Sequence, residues 1–193
     1  PQYDITHEEM QKMKKEVEIR KKHARKALKI LGVQKVRFLD LPNQELDQLP
    51  LLKIIKEIEK EIFETKSSLI FTHHYNDLNL DHRVAYEATI TAARPVPDSK
   101  VSSIISFEIP AATDWRKPYK FNPNLHIDIS SQLTTKVNAL KAYEYEFRKP
   151  PHPRSKEITE AVAKRWGSLS GFKAAEAFEI VMSRMSNLDK ISL

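Results

Sequence analysis

Apolar and polar positions along this chain follow two periods, one helical and one of two residues. Leu51, Ile54, Ile55, Ile58 and Ile62 recur at helical spacing after Pro50, so a helix starting there presents a continuous apolar stripe to a neighbouring layer. A sparser stripe of Met10, Met13, Val17, Ala24, Leu28 and Leu31 predicts a long helix between Thr6, a candidate N-cap followed by Glu8 and Glu9, and Gly32, a candidate terminating glycine. Residues 36–39, 69–71, 102–109, 125–129 and 175–182 read as strands, bounded by turn formers and prolines. Helices are expected over residues 81–94, stopped by Pro95, over 130–146, capped by Ser130 or Ser131, and over 155–165, with Gly167 and Gly171 opening the turn that follows. Helix and strand therefore alternate, which predicts an α/β domain with parallel strands joined by right-handed crossovers. Residues 111–123 carry Trp115, Pro118 and Pro123 without a clear period and read as a long loop, while residues 186–193 are expected to fray.

Composition narrows this picture. The 193 residues suit one domain spanning 1–193, and 40% apolar residues suit a water-facing globule. No run is long and apolar enough for a membrane span, and the first residues are not signal-like, so a cytoplasmic protein is expected. The chain has no cysteine, so any metal must be held by His, Asp or Glu, and its 3 glycines exclude glycine-rich phosphate loops. The net charge of +6 invites a nucleic-acid reading. However, the basic cluster from Lys12 to Lys29 is interleaved with Glu16 and Glu18 and holds no aromatic side chains for base stacking; a solvated helix face is expected, with no nucleic-acid partner.

The densest chemistry lies between Phe71 and Arg83, where a short apolar run ends in His73, His74, Asp77, Asn79, Asp81 and His82. In open α/β sheets ligands bind beyond the carboxyl ends of strands, which is where this segment falls. His82 follows Asp81 at a helix start, so the carboxylate either orients the imidazole or stays at the positive helix end. A plainer alternative is Asp81 as an N-cap with His82 on the surface.

The run Thr72-His73-His74 through Asp77-Leu78-Asn79-Leu80-Asp81-His82-Arg83 resembles the second metal motif of the LmbE-like, or N-acetylglucosaminyl-phosphatidylinositol de-N-acetylase (PIG-L), family. Further blocks resemble its bacterial sugar-modifying members: Ala93-Arg94-Pro95, Ser106-Phe107-Glu108-Ile109-Pro110 with Thr113 and Trp115, Phe121-Asn122-Pro123-Asn124, and Pro151-His152-Pro153-Arg154-Ser155. The resemblance implies a Rossmann-like three-layer sandwich with a mostly parallel sheet and a zinc-dependent hydrolase that removes an N-acetyl group from an amino sugar or sugar conjugate. It implies His82 as a zinc ligand, with a second histidine, an aspartate and the general base on a His-Pro-Asp-Asp-Glu segment absent from this sequence. The expectation is thus a domain lacking its first βαβ unit, on the order of 40 to 50 residues, and inactive as it stands.

Under that resemblance, Asp81 belongs to the catalytic neighbourhood, and Asn79 replaces a histidine that many members carry, keeping a donor for the oxyanion but no charge. His152, held between prolines, is then the candidate acid, against the alternative of a surface turn histidine. Asp77, Arg94, Thr113 and Trp115 are substrate-side candidates, since hydrogen-bonding groups and an aromatic platform suit a sugar ring. Arg94 closing a helix end and Trp115 plugging its loop are the competing structural readings. His73 and His74 would contact substrate or support the metal shell, with strand alternation turning one of them away. A non-catalytic carbohydrate-binding or regulatory module of the same fold is the alternative function, and a homo-oligomer stays open.

Overall fold

In the computed structural model, which describes residues 6–185, the site is carried by one helix–strand–helix unit: α2 (Leu51–Thr65), β1 (Leu69–His73) and α3 (Leu80–Ala92). The α2 stripe works as its spacing predicts. Ile54 and Ile55 are buried against Ala88 of α3, and Ile62 joins Ile90, Ile70, Val101 and Ile104 between the helices and the sheet. Asn79 caps α3 with its side-chain oxygen on the Asp81 amide at 2.8 Å, one turn position earlier than expected, so the helix starts at Leu80.

The sheet adds β2 (Ser103–Phe107), β3 (Leu125–Asp128) and β4 (Ala175–Ser183) in the order β1-β2-β4-β3. β1 and β2 pair in parallel, while β4 runs antiparallel to both of its neighbours. Three of the four strands therefore point the same way, as the alternation predicts, but two of the three ladders are antiparallel because the reversed β4 lies between β2 and β3. Register places His73, Phe107, Phe178 and Leu125 in one row across the sheet, so β1 and β2 end flush and release their following residues at a common rim.

The other helices are α1 (His7–Ile30), α4 (Leu133–Lys141) and α5 (Lys156–Ser170). Gly32 terminates the α1 segment with φ +73°, and the Val33 amide closes back on the Leu28 carbonyl at 2.9 Å. The α1 stripe is only partly used: Met10, Met13, Val17 and Leu31 are exposed, whereas Ala27 packs on Ala139 and Ala142. α4 starts later than expected because the Ser130 hydroxyl is engaged by Asp128 and the Ala174 amide, leaving Gln132 as an N-cap without a side-chain bond. It also stops at Lys141, short of residue 146. α5 runs on through Gly167 to Ser170 instead of ending at 165, and Gly171, at φ +81°, takes the left-handed position after it.

Residues 36–39 do not form the expected strand. Arg37 is ion-paired to Glu57 and Glu61 of α2, and a cleft of about 460 Å³ lined by Arg37, Leu39, Ile62, Leu69 and Phe71 separates the segment from β1. An apolar run becomes a strand only where a ladder accepts it. The fraying expected at residues 186–193 lies outside the described residues.

Candidate active site at the carboxyl ends of β1 and β2

β1 directs Thr72 inward, where its hydroxyl lies 3.2 Å from that of Thr89, and sends His73 to the opposite side at the rim. The His73 ring stacks on His82 at 4.2 Å between centroids with 21° between planes, and lies 5.2 Å from Phe107. Burial, reinforced by the neighbouring His82, pulls the His73 pKa down from 6.5 to about 4 despite the opposing charge of Asp77. His73 is accordingly neutral at physiological pH.

His74 turns away and is fully buried. Its Nδ1 accepts the Asn76 amide at 3.1 Å, so the neutral ring carries its hydrogen on Nε2, 3.2 Å from Glu179 Oε2. Glu179 also accepts the Asn122 amide, and Phe121 meets the His74 ring edge-to-face at 5.5 Å. With both nitrogens used inside the protein, His74 is not a substrate contact. Strand alternation correctly turns one of the two histidines away, and it is this one.

Asp77 is also fully buried, which removes it from the substrate side. Its Oδ1 accepts the Asn79 amide at 2.8 Å and its Oδ2 accepts the Thr113 hydroxyl at 2.8 Å. His82 Nδ1 lies 3.1 Å from Asp77 Oδ1, with the ring N–H direction off the line of a regular hydrogen bond. Burial alone would raise the Asp77 pKa, but His82, the Asn79 amide and Thr113 together hold it below the usual carboxylate range. Thr113, 1% exposed, accepts the Ile109 amide at 2.8 Å while donating to Asp77, so it too is a structural contact and not a substrate contact.

Asp81 is taken away from His82. Its two oxygens accept the backbone amides of Gln44 and Leu46, which ties the short 3-10 turn Leu46–Gln48 to the start of α3. A carboxylate so committed is a cap and not a catalytic group. Asn79 spends its oxygen on the helix and keeps its amide nitrogen as a donor. Arg94 lies just beyond the far end of the 13-residue α3, bonded to Glu59 and the Thr91 carbonyl. At about 1.5 Å of rise per residue that end is roughly 15 Å from His82, so Arg94 closes the helix away from the His82 end.

Trp115 is half exposed and meets the His152 ring at 5.5 Å and 69°. His152 Nδ1 accepts the Arg154 amide at 3.0 Å, and the Arg154 guanidinium holds the Pro110 carbonyl and Glu146. The turn that carries Trp115 is what connects His152 to the neighbourhood of His82. That turn is fixed to the rim by the Leu78 amide on the Ala112 carbonyl, 3.3 Å, and by Asn76 on the Pro118 carbonyl, 2.9 Å.

Two carboxylates outside the set of candidate site residues shape the surroundings. Glu179 anchors His74, as a charged residue inside an apolar strand. Glu108 accepts Trp166 Nε1 at 2.8 Å and Tyr119 OH at 3.1 Å, and burial pushes its pKa above the ordinary value. It borders a cavity of about 610 Å³ lined by Phe71, Phe107, Asp114, Trp166 and Phe178, behind the wall that Phe107 makes beside His73. Among the described residues no three His, Asp or Glu side chains come together to hold a metal ion. His82 offers one nitrogen without companion donors among them, so the donor set does not fit the zinc that the resemblance implies.

An α/β sandwich whose imidazoles and buried carboxylate gather at the end of a parallel strand pair defines the class. Within it, the PIG-L model, GlcNAc-PI de-N-acetylase, matches residues 2–93, the stretch holding α1 to α3 and the His73 to His82 segment. Solved structures share the fold over nearly the whole chain. The conserved protein TT1542 from Thermus thermophilus aligns at TM-score 0.68 and 18% identity over 91% of this chain and 78% of its own. N,N′-diacetylchitobiose deacetylase from Pyrococcus horikoshii aligns at 0.67 and 18% over 98% and 72%. GalB, the 4-carboxy-2-hydroxymuconate hydratase from Pseudomonas putida, aligns at 0.68 and 17% over 88% and 74%. At such identities the likeness is one of fold, and the fold hosts both a deacetylase and a hydratase.

Proposed function

We propose that the rim around His82 serves the removal of an N-acetyl group from an amino sugar or sugar conjugate. The observation that carries this reading is the His82 imidazole, stacked on neutral His73 and set against the buried Asp77 carboxylate, inside the segment that matches a de-N-acetylase family. In the reaction a water oxygen adds to the acetamide carbonyl, the C–N bond breaks, acetate leaves and the amine takes up a proton. His152 suits the last step: its Nδ1 accepts the Arg154 amide, so the neutral ring carries its hydrogen on Nε2 and can donate it. Trp115, half exposed beside it, offers an aromatic face to a sugar ring. Asn79 keeps an amide donor at the start of α3, where the helix end also favours negative charge.

Among the described residues, no three His, Asp or Glu side chains come together as a zinc site. We propose that the further donors and the base come from residues outside these 193, and that the 193 residues alone are inactive. The substrate is a small sugar-like molecule and not a nucleic acid, and no helix among the described residues is long and apolar enough to cross a membrane. A cytoplasmic location belongs to the same proposal.

The test is acetate and free amine release by the full-length protein from a panel of N-acetylated amino sugars. Equimolar acetate and amine from at least one of them is the expected result. Hydration of an unsaturated acid without any acetate release would instead assign the site to the other chemistry that this fold supports.

A further inference from the structure

We propose that Asp77 is the positioning residue for His82: its buried carboxylate fixes the imidazole with hydrogen on Nδ1 and leaves the Nε2 lone pair free for chemistry at the rim. This rests on the reading of His82 as the reactive imidazole, and it adds how that imidazole is set.

The direction of every proton around Asp77 follows from its partners. The Ile109 amide donates to Thr113 Oγ1 at 2.8 Å, so the Thr113 hydroxyl hydrogen is released towards Asp77 Oδ2 at 2.8 Å. The Asn79 amide donates to Oδ1 at 2.8 Å. Both oxygens are thus acceptors only, which is the form an ionised carboxylate offers, in a side chain that is fully buried. His82 Nδ1 faces Oδ1 at 3.1 Å. A ring nitrogen carrying a lone pair at that distance would be repelled by the carboxylate, and burial leaves no room for water to relieve it. A nitrogen carrying hydrogen is attracted, even when the bond is not fully aligned.

Two further contacts hold the ring once its tautomer is set. His73 stacks on it at 4.2 Å and 21°, fixing the plane. Thr113 belongs to the turn that carries Trp115, so a line of hydrogen bonds runs from the Ile109 backbone through Thr113 to Asp77, whose Oδ1 lies 3.1 Å from His82 Nδ1. Orientation of the reactive imidazole and placement of the aromatic platform are thereby coupled. The competing role for Asp77 is a purely local one, closing the 77–79 turn through the Asn79 amide.

Nitrogen-15 NMR of the histidine side chains in the 193-residue chain, recorded above about pH 7.5 so that rings of ordinary pKa are neutral, separates the two roles without any assay. We expect His82 to show a protonated Nδ1 and an unprotonated Nε2, with the Nδ1–H form favoured roughly tenfold or more. In Asp77→Ala the preference reverts to the Nε2–H form of a free histidine, and in Thr113→Val the Nδ1–H fraction falls. Should Asp77→Ala fail to fold, the wild-type and Thr113→Val spectra decide. A wild-type His82 with unprotonated Nδ1 overturns the proposal, as does a tautomer unchanged in a folded Asp77→Ala variant. Protonated Nδ1 in a protein that releases no acetate from any N-acetylated sugar would keep the positioning role and remove the proposed function; the reverse pair of results would do the opposite.

Discussion

Asp77 and Asp81 exchange the roles that their sequence positions suggest. Asp81 is adjacent to His82 in the chain, yet successive residues at a helix start point apart, and its oxygens go to Gln44 and Leu46. Asp77 is five residues away and reaches the imidazole because the turn between β1 and α3 folds back over it. Asp81→Ala should therefore behave as a lost cap: a fall of about 1–3 kcal/mol in unfolding free energy, read from the denaturant midpoint, with the His82 tautomer unchanged. A catalytic Asp81 would give the opposite pair, full stability and an altered site. His82 at a helix start, and one of two adjacent histidines facing inward, were legible in the sequence because both follow from local periodicity. Burial of Asp77, His74 and Thr113 was not, since it depends on Glu179, Asn122 and Ile109, which only the folded chain brings near. Arg94 matched a sequence block and proved to be a helix-end residue.

Among the elements, α5 and β4 show how a single position sets a junction. Gly167 looked like the start of a turn, but α5 continues through it, because a Cβ there would lie 2.6 Å from the Phe172 carbonyl oxygen and 2.8 Å from the Ala174 backbone. The glycine permits close approach of helix and strand. Gly167→Ala should cost about 1–3 kcal/mol by overpacking, measured by chemical denaturation, whereas an unchanged midpoint would mean that the junction gives way freely. Glu108 sits under the same region, donated to by Trp166 and Tyr119. Burial raises its pKa, so the folded state takes up a proton before the unfolded chain does, and stability falls as pH rises from the ordinary 4.5 through the raised value. Glu108→Gln keeps an acceptor for Trp166 and places its NH2 group where it can donate to the Tyr119 hydroxyl oxygen, and it should flatten that part of the stability profile; denaturation curves collected from about pH 4 to 8 would show it, and an unaltered slope would exclude Glu108 as its source. Element type was readable wherever the apolar period was long, as in α2. Residues 36–39 had the composition of a strand without a ladder to join, a condition that no local pattern carries.

At the scale of the molecule, alternating helices and strands predicted a sheet with its strands pointing one way, and three of the four do. The insertion of β4 between β2 and β3 was not legible, because strand order depends on long-range pairing that periodicity does not encode. The architecture nonetheless places β1, β2 and the start of α3 so that His73, His82 and Asp77 share one rim, with the Trp115 turn tied to it. The proposed function rests on that rim, which lies within the stretch that the de-N-acetylase model matches. The most direct measurement is acetate release from N-acetylglucosamine conjugates by the full-length protein and by its His82→Ala variant, with folding checked by circular dichroism. The account predicts turnover in the former and a loss of at least about 10³-fold in the latter, the scale seen when a central catalytic group is removed. Equal rates in the two proteins would contradict it.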